Sequence, residues 1–179
     1  MTTTDQGGGE APASRQPALP VLPEGRFEGR EAFRERVRDA LACAAREGWR
    51  EIILSDADFH DWPLGERAVI ESLNAWARTG RKMVMLAKNY DALTRGHPRF
   101  VTWRKTWSHI MECRRFATAD PLDLPSALWA SGWVMHRLDP ERNTGVCTLI
   151  PERRLALRET LEEWLRQSSA GFPVTTLGL

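Results

Sequence analysis

The sequence predicts an α/β domain built on a mixed, mostly parallel sheet flanked by helices. Two short apolar runs, EIILSDADF from Glu51 and KMVMLAKN from Lys82, bracket one amphipathic segment that stops at Gly80. That is the pattern of a β-α-β unit. Within the first run Ile52, Ile53 and Leu54 are consecutive rather than alternating, as strands covered on both faces require. Helical and strand patterns alternate through most of the chain, then give way to three strands and a closing helix, which suits a sheet with helices packed on it.

Taken in order, the first 25 residues, MTTTDQGGGEAPASRQPALPVLPEG, are rich in Gly, Pro, Ala and Thr. Such a segment buries too little surface to offset the entropy of ordering, so 1–25 reads as a disordered leader and 26–179 as a single α/β domain, a length that supports one core. The leader lacks the basic-then-apolar order of a secretory signal, and no apolar run approaches the ~20 residues that span a bilayer. A cytoplasmic protein with no membrane partner is expected. Phe33, Val37, Leu41 and Ala44 form one apolar stripe on a helix over 30–47, stopped by Gly48.

The strand EIILSDADF is followed by a helix over about 65–79, with Ile70, Leu73 and Trp76 or Ala77 inward, and by the parallel strand KMVMLAK. Asn89 to Trp107 reads as a helix broken at Gly96 and restarted at Pro98, a residue suited to a first helical turn. HIMECRRFA is a third strand, SALWA and WVMHRLD are consecutive short strands, and VCTLI is the last. Residues 151–167 form a closing helix with Pro151 at its start and Leu155, Leu157 or Arg158, Leu161 and Trp164 or Leu165 on its inward side. The tail AGFPVTTLGL is apolar enough to dock on the domain.

Charge is nearly balanced, 25 Lys and Arg against 24 Asp and Glu, for a net +1. A polyanion-binding role would therefore need a local patch. Cys43, Cys113 and Cys147 are odd in number and set among apolar residues, as expected of small buried side chains in a reducing compartment. No pair has zinc-ligand spacing, and neither a metal nor another cofactor is expected.

Three groups of residues could carry chemistry. Asp56, Asp58, His60 and Asp61 cluster where the first apolar strand ends. Two carboxylates two residues apart beside an imidazole could hold a divalent cation or move a proton in a metal-dependent phosphoesterase; Asp in such a turn also serves simply to cap backbone N–H groups. His136 and Asp139, around Arg137, could be a base and its orienter, or the polar end of a strand. Arg95, Arg99, Arg104, Lys105, Arg114 and Arg115 surround Trp103 and Trp107. That tract could bind an anion or stack on nucleic acid, whereas burial of both indoles on the Phe100 stripe would leave an ordinary solvated face. His97, His109, Met83 and Met85 read as structural.

At Leu54–Asp61, Arg78–Asn89 and Leu124–Asp139 the chain resembles one half of the phospholipase D-like superfamily. It is similar, more narrowly, to a degenerate bacterial domain found alone or attached to acetyltransferase-like proteins. The resemblance implies a catalytic His-x-Lys-x4-Asp on a strand after the loop, its His attacking the phosphodiester. Laid on LPSALWASG, that pattern falls on Pro125, Ala127 and Gly132. Without the imidazole a covalent transfer has no nucleophile. The resemblance also implies two halves around one site, hence a homodimer. The expectation is a non-catalytic binding or interaction module for an anionic ligand or a protein partner.

Overall fold

The computed structural model describes residues 21–79, 81–118, 120 and 123–173. Residues 1–20 of the expected leader, the expected helix stop at Gly80 and the tail from 174 onward lie outside the described residues. The last five leader residues are placed on the domain: Leu22 is buried, the Pro23 carbonyl accepts a hydrogen bond from Trp133 Nε1 (2.9 Å), and Gly25 opens a strand.

The elements run β1 (Gly25–Glu28), α1 (Arg30–Glu47), β2 (Glu51–Asp56), α2 (Arg67–Ala77), β3 (Lys82–Ala87), α3 (Asp91–Gly96), α4 (Pro98–Thr106), β4 (Met111–Arg115), β5 (Ser126–Ala130), β6 (Val134–Asp139), β7 (Thr144–Thr148), α5 (Pro151–Gln167) and β8 (Ser169–Ala170). α1 stops as expected: Gly48 has φ of 66°, a left-handed conformation that glycine adopts without a Cβ penalty. α4 starts at Pro98, where the missing N–H costs no helical bond.

The eight strands among the described residues form one sheet in the order β1-β7-β6-β5-β2-β3-β4-β8. The β-α-β unit is present, with Ile52 opposite Met83 and Asp56 opposite Ala87 in parallel register. The expectation of a mostly parallel sheet needs correction. Only β2–β3 and β3–β4 are parallel, and the other five pairings among the described residues are antiparallel. The turns joining β5, β6 and β7 are too short for a crossover, so those strands must run as hairpins. β1 and β8 were not anticipated: GRFE and SA are too short to show a period. β1 lies so close over β7 that a Cβ on Gly145 would sit 2.4 Å from the Phe27 ring.

Alternation along the strands divides the core. Ile52, Leu54, Met85, Leu128 and Met135 face α1, α2 and α4, whose Phe33, Val37, Leu73, Trp76 and Phe100 complete the main core. Ile53, Val84, Ala127 and Val134 face α5 through Leu157 and Leu161. Leu155, expected inward, is 59% exposed. α5 rests on the sheet along one narrow stripe spaced at i and i+4, and Leu155 falls off that stripe. No helix among the described residues is long and apolar enough to cross a membrane.

Candidate functional site

At the edge of the sheet where β2 and β6 end and β5 begins, strand alternation turns Asp56, Ser126 and Arg137 toward α1, with Leu54, Leu128 and Met135. Ser126 stands opposite Arg137 in register. The Arg137 guanidinium is buried and makes four hydrogen bonds. Its Nη2 donates to Asp56 Oδ2 (2.7 Å), its Nε to Ser126 Oγ (2.9 Å), and its Nη1 to Asp61 Oδ2 (2.6 Å) and Asn143 Oδ1 (2.9 Å). It lies 4.1 Å from the centroid of Phe33, a cation–π contact from α1. Ser126 Oγ donates in turn to Asp56 Oδ2 at 2.5 Å. The other Asp56 oxygen accepts the backbone N–H groups of Asp58 and Phe59 at 3.2 and 3.0 Å.

Burial pushes the Asp56 carboxyl up, but the Arg137 charge, the Ser126 hydroxyl and the Phe59 N–H outweigh it and hold the group below its ordinary value. Both its oxygens are therefore committed inside the protein. Asp58 lies outside this network, half exposed, its carboxylate bonded to the ring and backbone N–H of His60 at 3.0 Å. The Asp56–Asp58 pair does not converge on a cation position. Among the described residues no group of three or more His, Cys, Asp or Glu side chains could hold a metal ion.

His136 is on the opposite face of β6 from Arg137. It lines a groove of about 280 Å3 between the sheet and α5, with Val134, Val146, Thr148 and Arg153. Burial lowers its pKa. Asp139 is engaged elsewhere: its carboxylate accepts the N–H of Arg142 at 3.0 Å. His97 is structural, its Nε2 lying 3.1 Å from the Phe59 carbonyl.

The basic tract is dispersed. Trp103 is buried and Trp107 Nε1 donates to Asn74 Oδ1 (3.2 Å). Arg104 is buried, its Nε donating to Cys113 Sγ (3.3 Å), its Nη2 to the Phe172 carbonyl, and its guanidinium 4.3 Å from the Phe172 ring centroid. Arg114 Nε donates to Ser168 Oγ (2.9 Å), tying β4 to the end of α5. Arg99 reaches back to the Gly65 carbonyl (3.3 Å), and Lys105 is exposed on α4. Arg95 and Arg115 meet at a separate cavity of about 460 Å3 beyond the carboxyl ends of β3 and β4. Sequence reasoning missed Ser126, Asn143 and the role of Arg137. The available signal was an arginine in the inward phase of an apolar strand, which burial allows only when it is paired.

The fold is similar to that of the phospholipase D family. TrmBL2, an archaeal chromatin protein described with a novel mode of DNA binding, matches 88% of this chain with a TM-score of 0.62 at 16% identity, and the chain spans 57% of its length. NucT from Helicobacter pylori matches 84% of the chain and 99% of its own length, with a TM-score of 0.56 at 10% identity. The phospholipase D family member Nuc from Salmonella typhimurium matches 76% of the chain and 91% of its own length, with a TM-score of 0.50 at 10% identity. Identities this low establish the fold alone. No protein-family model matches the chain, and no curated protein matches it by sequence.

Replacing Arg137 leaves two carboxylates buried without their counter-ion. Arg137→Met should cost about 3–5 kcal/mol in urea unfolding, whereas exposed Arg67→Met should change little. Asp56 ionises at lower pH folded than unfolded. Its contribution is complete above about pH 4, the ordinary carboxylate value, and is lost as pH falls through the folded value. Stability measured from pH 7 to 3 should therefore drop at the acid end, and Asp56→Asn should flatten that limb.

Proposed function

We propose that this chain is a non-catalytic binding module on a phospholipase D-type sheet, a counterpart of the bacterial domain that stands alone or is joined to acetyltransferase-like proteins. It acts in the cytoplasm as a pair of identical copies that bind an anionic partner. The observation that carries the reading is what fills the positions where the resemblance calls for His, Lys and Asp. Ala127 is fully buried in the cluster of Ile53, Val84, Val134, Leu157 and Leu161, where an ammonium group would be desolvated and unpaired. Pro125 and Gly132 offer no imidazole or carboxylate, and covalent phosphoryl transfer needs such a nucleophile. The acidic cluster does not replace it, because the Asp56 oxygens are held by Arg137, Ser126 and two backbone N–H groups.

Pairing of copies is supported by the α5 side of the sheet. There the groove beside His136 is open, and Leu138, near the end of the same strand β6, is 64% exposed. Large apolar side chains left on one face are a common mark of an interface.

The full chain should hydrolyse bis(p-nitrophenyl) phosphate no faster than buffer, with or without Mg2+ or Mn2+. Turnover that survives purification and disappears in Asp56→Asn would replace this reading with a metal-dependent phosphoesterase. Light scattering should give twice the chain mass, and Leu138→Glu should halve it; a monomer at every concentration would remove the pairing.

A further inference from the structure

The cavity beyond the carboxyl ends of β3 and β4 has a composition that selects a ligand. Arg95, from the last turn of α3, and Arg115, the last residue of β4, both line it. Some arginines elsewhere in the fold are tied to carboxylates, as Arg34 and Arg38 are to Glu66 and Arg158 is to Glu51. Neither cavity arginine has such a partner among the described residues. Arg115 is steadied through Nε, which donates to the Lys88 carbonyl at 3.3 Å, while its terminal nitrogens have no partner among the described residues. Two guanidiniums stand against the single carboxylate of Asp91, so the cavity favours a negative group.

One wall is built by the segment after α5. Gly171 donates its N–H to the Cys113 carbonyl (2.9 Å), and a Cβ there would meet Arg115 Cβ at 2.7 Å. Phe172 follows with φ of 48°, a strained conformation for an aromatic residue. Arg104 holds its carbonyl and lies over its ring, on which Tyr90 also stacks with centroids 4.8 Å apart. The Tyr90 hydroxyl is itself pinned to the carbonyls of Met85 (3.0 Å) and Arg114 (2.8 Å). With Arg104 and Tyr90 both packed on its ring, Phe172 is held in place at this wall. Strain of this kind is kept where surrounding contacts over-determine it, and it recurs at ligand clamps. Asn89, Asp91 and Thr94 also line the cavity. Asn89 Oδ1 accepts the Asp91 N–H (3.1 Å) and Thr94 Oγ1 donates to the Tyr90 carbonyl (2.7 Å). That leaves the Asn89 amide N–H groups, the Asp91 carboxylate and the Thr94 oxygen lone pairs for a ligand.

We propose that this cavity binds a small hydroxylated organic oxyanion. Arg95 and Arg115 would grip its phosphate or carboxylate group, and Asn89, Asp91 and Thr94 would take its hydroxyls. At about 460 Å3 the space falls in the range of small-molecule sites. The inference rests on the reading of the chain as a binding module and names the ligand of its basic tract.

The test is thermal unfolding and calorimetry of the full chain with glycerol 3-phosphate, glucose 6-phosphate, glucuronate, inorganic phosphate and a single-stranded oligonucleotide. A fitting small organic anion at a hundredfold excess over its Kd should raise Tm by about 5–10 °C. The phosphate and carboxylate probes tell which head group is preferred. Arg95→Gln and Arg115→Gln should each weaken binding about 10–100-fold, and Arg99→Gln, outside the cavity, should leave it unchanged. The inference is overturned if no small organic anion binds, if inorganic phosphate binds as tightly as the esters, if the Arg95 and Arg115 variants bind normally, or if only the oligonucleotide binds. Release of inorganic phosphate from a bound ester would instead overturn the non-catalytic reading and leave the cavity standing. Failure of every probe in a protein inert toward phosphodiesters would remove the cavity alone.

Discussion

The buried guanidinium of Arg137 is the constraint on which the rest of this molecule depends. It joins β6 to β5 through Ser126, to β2 through Asp56, to the following loop through Asp61, and to the β6–β7 turn through Asn143, while Phe33 brings α1 over it. These pieces are far apart in the chain, and a planar fork with five donors can satisfy several of them at once. Buried ion pairs are costly to desolvate, so their value lies less in net stability than in penalising every arrangement that leaves one charge alone. A one-residue slip of β6 against β5 would put His136 where Arg137 stands and Arg137 into the apolar α5 face. The network thus sets register, and register sets what every other side chain at this edge can do.

The same edge divides into two regions of opposite character. Over β2, β5 and β6 the Asp56 oxygens, Ser126 and one oxygen of Asp61 are engaged by Arg137 and by backbone N–H groups. Over β3 and β4, Arg95 and Arg115 line an open cavity and have no carboxylate partner among the described residues. Arg104 and Arg114, from the same basic tract, were drawn inward to fasten the segment after α5. One stretch of similar residues therefore serves two purposes, and the strand and helix geometry decides which arginine does which.

Much of the architecture was legible because it rests on local signals. The break at Gly96 and restart at Pro98, the stop at Gly48 and the paired apolar runs around α2 each reflect a backbone preference or a period that the sequence displays directly. β1 and β8 were illegible because four and two residues cannot show a period; pairing partners distant in the chain create them. Leu155 was misread because hydrophobicity marks what could be buried, and only the narrow seat of α5 on the sheet shows what is. At the site, the loop of Asp56, Asp58 and Asp61 was found, and so was the capping of backbone N–H groups by Asp56 and Asp58, but its ion pairing was not. Two of those carboxylates answer to Arg137, some eighty residues on, and the third to His60.

By itself the sequence determined that this is an α/β chain with a parallel β2–β3 pair, an interrupted helix between β3 and β4, and no imidazole or lysine at Pro125 and Ala127. Each of these follows from residue identity, backbone freedom or periodicity over a short window. Only the tertiary structure decided that the sheet is chiefly antiparallel, that Asp56 is spent on Arg137, and that Arg95 and Arg115 share a cavity. Strand direction, ion pairing and concavity are relations between segments remote along the chain, and no local preference encodes which remote segment will arrive.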